Sequence, residues 1–139
     1  MAIAKITKEN NRLLQPNEGN QHGSAILEII AGDKNDREIP IWLGRATGSG
    51  NWRESLIEFV ETKASKQPNA VVNLSFNLTE INPDGTQTTR HKLTETETAA
   101  LKYSQDNNIL IVAAAGNEGS QSSALGQASC DKFVNFCRR

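Results

Sequence analysis

No stretch of this 139-residue chain approaches the roughly eighteen consecutive apolar residues of a membrane-spanning helix, so no span is expected. The opening residues, MAIAKITKENNRLLQPNEGNQ, lack the long apolar region of a secretory signal, which leaves localisation open. A basic stripe is also missing. Fifteen Lys and Arg stand against sixteen Asp and Glu, scattered along the chain for a net charge of −1, so neither nucleic acid nor an anionic membrane is an expected partner. Cysteine is scarce: Cys130 and Cys137 crowd the last ten residues with no histidine beside them and read as a free pair rather than a metal site. Asp33, Asn35, Asp36 and Glu38 gather oxygens in one loop, but the glycine an EF-hand loop needs is absent, so the loop reads as solvated. No metal or cofactor is expected. Asn73-Leu74-Ser75 and Asn77-Leu78-Thr79 match the glycosylation pattern formally and read as chance.

What is present supports one modest core: 37% of the residues are hydrophobic, enough for a single domain of this length. Residues 1–21 are polar and read as an irregular lead-in, with the folded domain spanning 22–139. After His22-Gly23-Ser24 the spacing predicts a short helix over Ala25 to Ala31, stopped by Gly32. Ile39 to Leu43 reads as a strand and Gly44 to Gly50 as a glycine-rich loop. Trp52, Leu56, Phe59, Val60 and Ala64 then share one face of a helix running to about Lys66, before Pro68. Ala70 to Phe76 is a second strand. Asn82-Pro83-Asp84-Gly85 is a turn signal that folds 77–92 into an exposed hairpin or long loop, carrying His91. Thr94 and Glu97 form a capping box for a helix to about Asn107, which hands over to an apolar strand at Ile109, and residues 128–136 read as the start of a further strand. Strand and helix alternate. The expectation is an α/β fold: three layers, with a mostly parallel sheet joining the strands near 39–43, 70–76 and 109–115 and flanked by helices.

Two motifs carry chemistry. ILIVAAAGNEGS, Ile109 to Ser120, is an apolar strand that stops at a tight turn presenting the amide of Asn117 at its carboxyl end, where α/β folds place their sites. His22, at the start of a helix, is a candidate base that the positive end of the helix dipole helps keep neutral. Together, His-Gly-Ser and Ala-Ala-Gly-Asn-Glu-Gly resemble the subtilisin-like serine proteases. The resemblance implies a partial catalytic domain of a peptide-hydrolysing enzyme, with His22 as general base and Asn117 as the donor that stabilises the oxyanion. It also implies that Gly48, Ser49 and Gly50 form one edge for the substrate backbone, and that Ser75, Phe76 and Asn77 form the other. An extended peptide or protein substrate would add between them.

The chain departs from the family in four places. Asn77 and Leu78 stand where the family has two glycines, so pocket depth does not carry over, and Glu28 replaces a small residue on the His22 helix. Only Glu9 and Glu18 precede His22, neither in an apolar strand, so no acid partner is visible. No Gly-Thr-Ser motif occurs anywhere. The resemblance spans about residues 20–135 and predicts a domain truncated at both ends and inactive alone. The alternatives are a non-catalytic peptide-binding module, or one half of a split protease whose second polypeptide supplies the Asp and Ser.

Overall fold

The structure, a computed structural model, describes residues 4–5, 21–31, 40–44, 52–62, 69–116, 123–128 and 135–136. The chain divides into two units, 1–43 and 44–139.

In the first unit, β1 (Ala4–Lys5) pairs antiparallel with β2 (Pro40–Ile41), Ala4 opposite Ile41 and Lys5 opposite Pro40. This corrects the expectation that the 39–43 strand enters the parallel sheet, and it gives the polar lead-in a strand of its own. Pro40 lacks an N–H, which suits a short pairing and not the interior of a ladder. Helix α1 spans Gln21–Ala31, so His22, Gly23 and Ser24 lie inside its first turn and not ahead of it. Among its described side chains Leu27 is buried, while Ile29 and Ile30 are exposed.

The second unit is built on a parallel sheet of order β3 (Val71–Leu74), β6 (Leu110–Ala113) and β7 (Asn135–Phe136). Register runs Val71 to Leu110 through Leu74 to Ala113, and β6 continues to β7 with Val112 opposite Asn135. Both strands of the first pair bury alternate residues. Leu74, Ile111 and Ala113 face the core, whereas Val71 and Leu110, opposite one another, are exposed. Along β3 and β6 the core-facing side is thus packed while Val71 and Leu110 on the other side are exposed, the period-two consequence of a strand's pleat.

Two helices supply the packed side. Helix α2 (Trp52–Thr62) buries Trp52, Leu56 and Val60, one residue per turn, with Phe59 partly buried against the same core. Its expected tail, including Ala64 and Lys66, lies outside the described residues. Helix α3 (Glu95–Asp106) buries Ala100, Leu101 and Ser104 and packs on both α2 and β6. Its N-terminus carries the predicted capping box: the Glu97 N–H donates to Thr94 Oγ1 (3.2 Å) and the Thr94 N–H donates to Glu97 Oε2 (2.8 Å). At its C-terminus Asn108 has φ of 60°, its N–H donating to Gln105 O (2.9 Å) while that of Ile109 donates to Ser104 O (3.0 Å). This is a Schellman stop, and the burial of Ile109 turns the chain straight into β6.

Between β3 and α3 the excursion forms a hairpin of β4 (Thr79–Ile81) and β5 (Gln87–Thr89). At its tip the Gly85 N–H donates to Asn82 O (2.9 Å) and Gly85 takes φ of 84°, where a Cβ would be strained. His91, expected to be exposed, is half-buried. A single turn, α4 (Ala124–Gln127), follows β6; Ser123 caps it by accepting from the Gly126 N–H (3.2 Å). Sequence periodicity does not announce so short a helix.

Candidate functional site

The carboxyl ends of β3 and β6 finish level, tied by the Ala114 N–H donating to Leu74 O (3.2 Å). From this edge two segments emerge. One is Ser75 to Leu78; the other is Ala114 to Gly116, whose last residue has φ of 106°. Such an edge is where parallel α/β sheets collect ligand-binding groups, because backbone polar groups leave the ladder there and loops bring side chains together.

His22 is in the first turn of α1; its side chain lies outside the described residues, as does that of Glu28. Asn117, Gly48, Ser49 and Gly50 lie outside them too, as do the Asp33–Glu38 loop, Cys130 and Cys137. Asn117 follows Gly116 directly in sequence. Ser75, Phe76 and Asn77 are half-buried on the β3 exit. Ser75 Oγ accepts from Asn73 Nδ2 (2.8 Å), and Phe76 meets Trp52 edge to face with ring centroids 6.4 Å apart. Leu78 is buried in the core. The segment thus has alternate anchors, Phe76 and Leu78, in place of the bare backbone that two glycines would give.

The structure adds a polar cluster that the sequence reading located only in part. Glu97, 7% exposed, accepts from four donors: Arg90 Nη2 (2.6 Å) and Trp52 Nε1 (3.3 Å) at Oε1, and Arg90 Nη1 (3.1 Å) and the Thr94 N–H (2.8 Å) at Oε2. Burial pushes its carboxyl pKa up, but the bonds from Arg90 and Thr94 and the guanidinium charge outweigh that and hold it below the usual range. The same bonds raise Arg90. Arg90 is also a backbone junction: its N–H donates to Leu78 O (2.8 Å) and its carbonyl accepts from the Ala124 N–H (2.9 Å). One residue therefore closes the hairpin, fixes the end of the Ser75–Leu78 segment and seats α4. The capping-box pattern pointed to Glu97, but nothing in the polar excursion singled out Arg90.

Helix α4 in turn bears on the β6 exit. The Ser123 N–H donates to Ala115 O (3.3 Å), and a Cβ on Gly126 would stand 2.5 Å from that oxygen, so the two backbones touch where only glycine fits. Among the described residues no group of His, Cys, Asp and Glu is placed to hold a metal ion, and no helix is long and apolar enough to cross a membrane.

No curated protein and no solved structure matches this chain. The sequence profile of the subtilase family, peptidase S8, matches residues 3–133. That span takes in the first strand, the helix bearing His22, the whole β3–α3–β6 unit and the Ala-Ala-Gly-Asn-Glu-Gly motif. A match over nearly the entire length, on an α/β framework with parallel β3 and β6, shows that the chain belongs to the subtilase family of serine proteases.

Proposed function

We propose that these residues form the central part of a subtilisin-type endopeptidase domain, in which His22 is the general base and Asn117 the oxyanion donor. Gly48, Ser49 and Gly50 on one side and Ser75, Phe76 and Asn77 on the other are the edges between which an extended peptide or protein substrate lies. The observation that carries the reading is the family match over 3–133, which includes both motifs. In the reaction, the imidazole of His22 takes the proton of a serine hydroxyl as it attacks the scissile carbonyl. It then returns that proton to the leaving amine. The amide of Asn117 donates to the oxygen on which charge develops, and a donor fixed beforehand needs no reorganisation at that moment.

No Gly-Thr-Ser occurs among the 139 residues and no aspartate precedes His22, so the acid and the nucleophile of this reading come from polypeptide outside them. The 139-residue chain alone is then expected to leave peptides intact and to resist serine-directed phosphonates, because a base without a nucleophile beside it activates nothing. Stoichiometric phosphonate labelling of any of its serines overturns that expectation. The positive test supplies polypeptide carrying an Asp strand and a Gly-Thr-Ser helix, fused or in trans. Turnover should appear, vanish with His22→Ala, and fall with Asn117→Ala by about 10²–10³-fold, a magnitude that belongs to removal of the subtilisin asparagine and not to a distance in this chain. Turnover indifferent to both substitutions would leave the peptide-binding module as the better account.

A further inference from the structure

The hairpin stands at the end of the Ser75–Leu78 segment with no break in the chain, and its construction leaves one edge open. The Arg90 N–H donates to Leu78 O and the Asn82 N–H donates to Thr86 O, each at 2.8 Å. In an antiparallel ladder bonded and non-bonded pairs alternate, so Glu80–Thr88 is the bonded pair between them, and Thr79 and Ile81 turn their N–H and C=O groups to the outer side of β4. Among the described residues no strand pairs with β4 on that side. The edge is short and carries one charge, Glu80, but Thr79-Glu80-Ile81 has no lysine or proline. It ends instead on an isoleucine that is 73% exposed.

The frame behind this edge is hydrogen-bonded at both ends. Its base is closed by Arg90, whose guanidinium is bound by Glu97, and its tip by Asp84, which accepts from the Thr86 N–H (2.9 Å) and Oγ1 (2.6 Å). Residues 79–89 include two acids, Glu80 and Asp84, and no base; Arg90, at the foot of the hairpin, feels the charge of Glu80 but is bound by Glu97. Successive residues of a strand face opposite sides, so a chain laid along β4 has one residue beside Ile81 and the next beside Glu80.

We propose that β4 is a specificity-determining edge: an extended peptide substrate adds as a further strand along Thr79–Ile81, with an apolar side chain beside Ile81 and a basic side chain beside Glu80. The inference rests on the reading of Ser75–Asn77 as a substrate edge, which β4 lengthens. Main-chain bonds to the open edge supply affinity, and the two side chains supply selection.

The test is a backbone-amide NMR titration of the 139-residue chain with the end-capped hexapeptide Ala-Lys-Leu-Ala-Lys-Leu and, in parallel, its Ala-Glu-Leu-Ala-Glu-Leu counterpart. Saturable shifts are expected at Thr79 and Ile81 together with Ser75–Asn77. The lysine peptide should bind about two- to fivefold more tightly, as for one partly screened charge pair. Glu80→Lys should reverse that preference. Ile81→Pro, which removes an outward N–H, should abolish the β4 shifts; should it disturb the fold, Glu80→Lys decides. Shifts confined to Ser75–Asn77 overturn the inference and leave the substrate-edge reading intact, and shifts nowhere overturn both. An unchanged peptide preference in Glu80→Lys also overturns it.

Discussion

Glu97 and Asp84 are both carboxylates held below their usual pKa by hydrogen bonds, yet they do opposite amounts of work in the fold. Glu97 sits among Arg90, Trp52 and the Thr94 backbone, joining α2, α3 and the foot of the hairpin. Asp84 caps a turn in open solvent, its carboxyl lowered first by the side chain of Thr86 and then by the Thr86 backbone. The contrast lies in desolvation and not in bond count. Removing a buried partner strands the others where water cannot replace it, while an exposed donor that loses its acceptor turns to solvent.

The largest expected effect follows from that difference. Glu97→Ala leaves Arg90 and Trp52 Nε1 without an acceptor. Because the Arg90 side chain keeps 20% of its surface exposed, the cost falls toward the lower end of the range for a broken buried pair, about 3 kcal/mol. Urea unfolding followed by far-UV circular dichroism checks it, and a loss below about 1 kcal/mol would place Glu97 with the surface ion pairs.

Acid sharpens the comparison. A carboxyl whose folded pKa is lowered contributes stability that is fully present above its unfolded value, near 4.5, and is lost as the pH falls through the lowered folded value. Glu97→Gln retains the shape without the charge. Its stability deficit relative to wild type should be widest near neutral pH and should close as the pH falls through the lowered folded value. A deficit that stays constant across this window would mean that the amide's altered bonding, and not charge, sets the cost.

The next effect concerns the β6 exit. Gly126→Ala places a methyl 2.5 Å from Ala115 O and 3.0 Å from Ala115 C, both backbone atoms that no side-chain rotation can clear. Overpacking of this kind costs about 1–3 kcal/mol, against which the better helix propensity of alanine returns less than about 1 kcal/mol. Net destabilisation is expected, with amide shifts concentrated at Ala115 and Gly116. A neutral substitution would show that the contact yields.

Much of this framework was legible in the sequence because local chemistry and tertiary demand agree there. Thr94 and Glu97 announce a helix start, Asn82-Pro83-Asp84-Gly85 announces a turn, and two apolar runs separated by a capped helix announce parallel β3 and β6. The failures have the same physical origin. A five-residue apolar run cannot say which partner it takes, and among the described residues β2 pairs antiparallel with β1. Arg90 looks like one more polar residue because its role is set by Glu97 seven positions on and by Leu78 and Ala124 in space. Gly126 is special only through Ala115, which sequence does not bring near. The candidate site divides similarly: the His22 and Asn117 motifs are readable as patterns, whereas the anchoring of the Ser75–Leu78 wall through Phe76, Trp52 and Arg90 emerges only from packing.

The smallest expected effect is at the hairpin tip. Asp84→Ala removes the acceptor for the Thr86 N–H and Oγ1 but leaves the Asn82–Gly85 backbone bond and the positive φ of Gly85, which shape the turn. Both released donors face water, and Asn82 Nδ2 can still donate to Thr86 Oγ1. Global stability should therefore remain within the scatter of denaturant measurements, with no pH dependence beyond that of wild type. The change should appear locally, as faster amide exchange at Thr86 and its neighbours. A global loss comparable to that of Glu97→Ala would break the comparison, because it would show an exposed carboxylate doing the work that desolvation assigns to a buried one.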